Sequence, residues 1–209
     1  MKGFSLINGL LLLSCLGHLA LWRCDWIITC LGGGRFRFSD LGDNDRLSAV
    51  MEGTSLRQPL ESILLGTFAL AAAFPGYLAL CRWTRQFSPV CAALMAIGCT
   101  AFFVVGAVHH VLCGAVEWFY IRMGRTEEAR QTILEFFQKT ASTMYVCYAG
   151  LLIFAVTLFV AVAGGWTALP RWACVCNTLP LFLLLAPLRI VGTGNLVGAI
   201  VALGLAILI

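Results

Sequence analysis

Charge is what this sequence is short of. Only 11% of its 209 residues are Asp, Glu, Lys or Arg, while 60% are hydrophobic; soluble domains carry about 25% charge. A water-soluble globule is excluded. So is a disordered chain, which needs low hydrophobicity. The 14 Lys and Arg, set against 10 Asp and Glu, are too sparse for the basic face that nucleic acid requires, so no nucleic-acid partner is expected. The 21 glycines show no Gly-X-Y period, which excludes collagen. No internal repeat supports an inverted-repeat transporter. Alternating ten-residue segments, the mark of a membrane β-barrel, are missing as well. The ten cysteines are scattered through apolar runs, and Cys174-Val175-Cys176 lacks the C-x-x-C spacing of a redox pair or zinc knuckle. They read as small packing residues. No motif calls for a metal or a cofactor.

What is present is long apolar runs. A hydrocarbon core of about 30 Å takes about 20 residues of helix. Six stretches qualify, at 3–31, 62–81, 90–116, 141–163, 172–188 and 190–209. The expected fold is an all-α polytopic helical bundle of about six transmembrane helices forming a single integral membrane domain over 1–209, with membrane lipids as its surroundings. The first run is kept as a retained helix rather than a signal peptide: Lys2 could serve as an n-region, but no small-x-small cleavage site follows. The fifth run is short and holds Pro180 and Pro187, which kink a helix or break it into a re-entrant segment.

Two connections stand out. Residues 32–61 open with Gly32-Gly33-Gly34, alternate Arg35-Phe36-Arg37-Phe38, and continue through Asp40, Asp43 and Asp45. This is an interfacial loop able to cap one mouth of the bundle. At 126–139, Thr126 is placed as an N-cap, with Glu127 and Glu128 in the first turn and Ile133, Leu134, Phe136 and Phe137 gathered beyond. That pattern predicts an amphipathic helix feeding the fourth span. With six spans, Lys2, Arg82, Arg85 and Arg171 fall on the side of the chain ends. Arg35, Arg37, Arg46, Arg57, Arg122, Arg125, Arg130, Lys139 and Arg189 fall opposite. Counting Lys and Arg alone puts the ends outside; carboxylates crowd the richer side, and the orientation stays open.

The sharpest signal is ionisable groups inside spans, which cost several kcal/mol if they face lipid and so turn inward. In the first span Ser14, His18 and Asp25 share a helical face; in the third, His110 and Glu117 share one with Gly98, Gly106 and Gly114. If the two faces meet, His18, Asp25, His110 and Glu117 form one acid/base cluster, with Asp25, His110 and Glu117 as its catalytic candidates and Ser14, His18 and His109 as binding groups. Such a cluster suits proton transfer. The bland alternative is that these groups only bond across helices and that Glu117, beside Trp118 and Tyr120, sits at headgroup level. Arg189, Gly192, Gly194 and Asn195 form a polar break before the last span, either a plain turn or an anion or headgroup contact.

Several short motifs resemble a family of bacterial six-helix membrane proteins classed as a domain of unknown function. Cys24-Asp25-Trp26-Ile27-Ile28 resembles the Gly-Asp-hydrophobic run ending that family's first helix. Gly106-Ala107-Val108-His109-His110-Val111-Leu112-Cys113, with Phe119-Tyr120, is similar to its Gly-x-x-x-His stretch and aromatic exit, and Gly194-Asn195-Leu196 to the opening of its last helix. Cys24 where the family has Gly, and the doubled His, are departures. The resemblance implies a six-helix fold and a bacterial cytoplasmic (inner) membrane, and no activity.

These readings converge on a small, partly polar cavity lined by the first and third spans, binding or transporting a small apolar or amphipathic molecule. One rival is a membrane-embedded enzyme doing acid/base chemistry on a lipid-like substrate through Asp25, Glu117 and His110. Its zinc-dependent form leans on Ser14, His18 and Asp25, which resemble part of the alkaline-ceramidase type of membrane hydrolase; the late His-x-x-x-His pair of those enzymes is missing here. The other rival is a scaffold whose polar groups only hold helices together.

Overall fold

The computed structural model describes residues 5–209; Lys2 and the first positions of the run at 3–31 lie outside them. Helix α1 (Leu6–Thr29) starts at Ser5, whose backbone N–H donates to Asn8 Oδ1 at 2.9 Å. A two-residue antiparallel hairpin follows, β1 (Cys30–Leu31) with β2 (Gly34–Arg35). After a 3-10 turn at Phe38–Gly42, the short α2 (Asn44–Val50) is capped by Asp43, which accepts from the N–H groups of Asp45 and Arg46. Four helices are long and apolar enough to cross a membrane: α1, α3 (Arg57–Arg85), the continuous rod Pro89–Arg122, and α7 (Ser142–Ala163). The chain is an integral membrane protein.

The rod Pro89–Arg122 consists of α4 (Pro89–Thr100), a wide π turn at Ala101–Val105, and α5 (Gly106–Arg122). Pro89 opens it, where a missing N–H costs nothing, behind the Ser88 cap. The amphipathic α6 (Glu127–Thr140) begins at Thr126, whose side chain accepts from Ala129 N–H as the sequence predicts.

The expected fifth and sixth spans come out shorter than a bilayer-crossing helix. Residues 172–188 break into a 3-10 turn at Arg171–Val175, α8 (Thr178–Leu185) and a second 3-10 turn at Ala186–Leu188. Eight α-helical residues reach only about 12 Å. Asn177 provides the cap that restarts the helix, accepting from Leu179 N–H, and Pro187 ends it. The last helix, α9 (Thr193–Leu208), has 16 residues, about 24 Å.

Neighbours pack antiparallel. Gly17 of α1 sits where an added Cβ would strike Ala69 O and Ala73 N of α3, both at 2.7 Å, so the two backbones approach closely. Gly98 of α4 and Gly150 of α7 do the same for that pair. Helix α9 runs along α1, with Asn8 donating to Ala206 O at 2.7 Å near one end and Trp22 Nε1 to Val191 O at 2.7 Å near the other. The main core gathers Leu11, Tyr77, Met95, Phe103, Phe154, Leu158, Val197 and Leu205 between these helices. Outward leucines and phenylalanines such as Leu16, Leu64, Phe68 and Leu183 stay exposed, as a lipid-facing surface requires. A second, smaller core of Leu31, Leu47, Met51, Tyr120, Ala129 and Ile133 sits under the hairpin, α2 and α6. The connection at 32–61 is therefore folded structure covering one end of the bundle.

Candidate functional site

The inward face of α1 feeds a directed chain of hydrogen bonds. Asn195 at the start of α9 donates from Nδ2 to Asp25 Oδ2 at 2.8 Å. Its Oδ1 then accepts from His18 Nδ1 at 3.3 Å, which places the ring proton on that nitrogen. His18 Nε2 is left as the acceptor for the Tyr77 hydroxyl at 2.9 Å. Tyr77, His18, Asn195 and Asp25 thus link α3, α1 and α9. His18 is buried, 2% exposed, and its ring lies tilted against those of Tyr77 and Phe103. Space for it exists because position 198 is glycine, where a Cβ would come within 2.5 Å of His18 Nδ1. Ser14 does not join the chain; it donates to Ala73 O at 2.8 Å.

The face on α5 is built differently. His110 Nε2 lies 2.9 Å from Ser62 O and therefore donates its proton there. Gly66 leaves room for the ring, since a Cβ there would overlap it. Ser62 in turn donates its hydroxyl to Cys24 O at 3.4 Å, so His110 reaches α3 at the level where α3 meets α1, beside the residue that precedes Asp25. Among the described residues no hydrogen bond joins His110 to Asp25 or to Glu117, and no three His, Cys, Asp or Glu side chains converge as metal ligands. His109 turns toward α7, donating to Thr143 Oγ1 at 3.1 Å and lying 3.5 Å from Cys113 Sγ.

The single glycine stripe expected along the third span divides. Gly98 and Gly106 face α7, meeting Gly150 and Cys147, whereas Gly114 and His110 face Pro59, Ile63 and Gly66 of α3. Eight residues of α-helix overshoot two turns by about 80°. The π turn takes up that drift between 98 and 106, and ordinary helix beyond it swings Gly114 onto α3.

Glu117 stands apart from both groups. It is 7% exposed, and its Oε2 has no hydrogen-bond partner among the described residues. It lines a cavity of about 210 Å³ under the cap, walled mainly by apolar side chains such as Ile28, Leu47, Met51, Val116 and Ile133, with the Thr29 hydroxyl among them and Arg37 as the other charged lining residue. The residues around this space include neither Asp25 nor His110, so the cavity lies toward the covered end rather than between the two histidines.

Arg189 has an exposed side chain and a left-handed backbone with φ 52°; its carbonyl accepts from Arg35 Nη2 at 3.1 Å. That contact ties the break before α9 to the hairpin. Gly192, at φ 68°, closes over Asp25, where a Cβ would sit 2.5 Å from Oδ2.

Sequence reasoning passed over Tyr77, Ser62 and Gln58. Gln58 Nε2 donates to Ile27 O at 2.7 Å and to Cys30 O at 3.2 Å, satisfying the end of α1. A tyrosine in mid-span and the spacing of Ser62 and Gly66 are the signals that could have marked the first two.

The chain belongs to a family of unknown function (DUF6796), whose model matches residues 5–208, in line with the resemblance carried by its short motifs. No curated protein and no solved structure matches it.

Proposed function

We propose that this member of a family of unknown function binds a small apolar or amphipathic molecule in the cavity under its cap. The observation that carries the reading is the pairing of an apolar chamber of about 210 Å³ with one buried, unpartnered carboxylate oxygen, on Glu117. Mostly apolar pockets with a few placed polar groups are the usual form of small-molecule sites. Transport adds a requirement for passage between the two sides, and in this reading α8 and α9 complete a fifth and sixth crossing. A bacterial cytoplasmic membrane as its location rests on the motif resemblance.

The enzyme reading has less support. His110 spends its Nε2 proton on Ser62 O, and a primary amide, Asn195, separates His18 from Asp25. General acid/base catalysis needs the proton-carrying group within hydrogen-bond reach of its reacting partner. The chain through His18 suits holding three helices together.

The test is protein purified into lipid nanodiscs and examined by native mass spectrometry. Wild type should retain a bound small molecule that Val116→Trp or Leu134→Trp, each filling the chamber, excludes while far-UV circular dichroism is unchanged. Identical bound species in wild type and both filled variants would overturn the proposal.

A further inference from the structure

We infer that the molecule held in this cavity is a monoamine with an apolar body, its ammonium group set against Glu117 Oε2. The inference rests on the binding reading above and adds the chemical class of the ligand. Four observations carry it. Glu117 is buried, and Oε2 lacks any hydrogen-bond partner among the described residues. The walls that meet a ligand's body, such as Ile28, Leu47, Met51, Val116 and Ile133, are hydrocarbon, and Thr29 supplies the one hydroxyl among the lining residues. Arg37, the other charged lining residue, is exposed, and no ion pair joins it to Glu117. Cys113, one helical turn before Glu117, is already engaged with His109 at 3.5 Å.

An isolated carboxylate in apolar surroundings is costly unless it gains a paired, hydrogen-bonded partner. An ammonium supplies both the opposite charge and up to three N–H donors. A hydroxyl head supplies one donor and no charge. A carboxylate or phosphate head would oppose Glu117, and like charges at close range discriminate strongly against the wrong ligand. The apolar walls then select for a hydrocarbon or aromatic body and against a second charged group. Free amines and the amine headgroup of a membrane lipid share this chemistry.

Three probes with one tail separate the possibilities: octylamine, octanol and octanoate, titrated by thermal shift against the full chain in phosphatidylcholine nanodiscs. Octylamine should bind at least tenfold more tightly than octanol, and octanoate should not bind. Glu117→Gln should bring octylamine down to the level of octanol and leave octanol unchanged, with Glu117→Asp intermediate as a second, charge-retaining variant. If adding phosphatidylethanolamine to the discs suppresses octylamine binding, the amine class stands and a lipid is its source. Undiminished binding assigns free amines. Equal affinity for octanol and octylamine in wild type, or an amine preference that survives Glu117→Gln, would overturn the inference while leaving the cavity as a binding site. Failure of octanol and octylamine alike would remove the binding reading itself.

Discussion

At the scale of single residues, Asn195 is the position on which the polar interior of the bundle depends. Its amide faces both ways, accepting from His18 and donating to Asp25, and replacing it with Ala leaves both without that partner. Hydrogen bonds between membrane helices contribute about 0.6–2 kcal/mol, and stranding the buried His18 together with the half-buried Asp25 falls at the upper end. Asn195→Ala should therefore lower the unfolding free energy by about 2 kcal/mol, measured by chemical denaturation in mixed micelles. Gly198→Ala acts through the same ring by collision, since its Cβ would lie 2.5 Å from His18 Nδ1; overpacking of this kind costs about 1–3 kcal/mol. Gly194→Ala is the control, with no atom within 4 Å of the added carbon. If Gly198→Ala is no more destabilising than Gly194→Ala, the placement of His18 is wrong. His18 and Asp25 were legible in the sequence because a charged or titratable group in an apolar run must turn inward. Their link was not legible, because the bridging amide lies 170 positions from Asp25 and local spacing carries no information about it.

At the scale of elements, α6 is the piece whose attachment responds to pH. Arg130 holds Glu127 through Nε to Oε2 at 2.8 Å and Nη2 to Oε1 at 2.5 Å, while its Nη1 reaches Leu41 O at 2.8 Å. One guanidinium thus closes the first turn of α6 and fastens it to the cap. That hydrogen-bonded pairing, with Gln131 adding a bond, holds the Glu127 carboxyl down to about 2. The unfolded value is about 4.3. Because the folded value is the lower one, the contribution is whole above about 4.3 and is lost as pH falls toward about 2. Hydrogen exchange at α6 and at Phe38–Gly42 should accelerate across that window relative to α3 and α7, and Glu127→Gln should show the faster exchange at neutral pH. An α6 whose exchange changes only in step with the whole bundle would contradict this.

The same helix was readable in advance, since Thr126, Glu127 and the apolar run at Ile133 to Phe137 spell a capped amphipathic helix. The π turn at Ala101–Val105 was not, because nothing in Ala-Phe-Phe-Val-Val distinguishes a wide turn from an ordinary one. For that reason the single face drawn through Gly98, Gly106, His110 and Gly114 does not hold: Gly98 and Gly106 meet α7, as His109 does, while His110 and Gly114 meet α3. The interface before the turn gives a sharper expectation. An added Cβ at Gly98 would lie 2.7 Å from Gly150 O, and one at Gly150 would lie 2.6 Å from Gly98 O. Neither backbone can yield easily, so Gly150→Ala should cost about 1–3 kcal/mol in the same denaturation assay.

At the scale of the whole molecule, the contacts settle which connections share an end, and that arrangement sets the expected orientation. Antiparallel packing of α1, α3, the Pro89–Arg122 rod and α7 puts the turn between Arg85 and Pro89 at one end and the cap with α6 at the other. Arg35, Arg37, Arg46, Arg57, Arg122, Arg125, Arg130 and Lys139 lie on or beside the cap, and the Arg35 to Arg189 contact brings the end of α8 there too. The apolar runs alone gave this partition of charges, because an even number of passages separates the same loops whether or not each passage is one intact helix. Four helices, not six, are long enough to cross: α8 holds Pro180 and is closed by Pro187, and a run that is apolar enough need not be helical along its length. Lys and Arg close to the spans orient membrane proteins with their richer side in the cytoplasm, and acidic residues weigh little in that rule. The cap and its cavity should therefore face the cytoplasm. Single cysteines introduced as Gln86→Cys and Glu128→Cys into a chain otherwise cleared of cysteine, both at exposed positions, separate the alternatives in intact cells. An impermeant maleimide should label the first and spare the second until the cells are opened. The reverse pattern would put the cavity on the outer side, where an amine ligand would arrive from the surroundings of the cell instead of from within it.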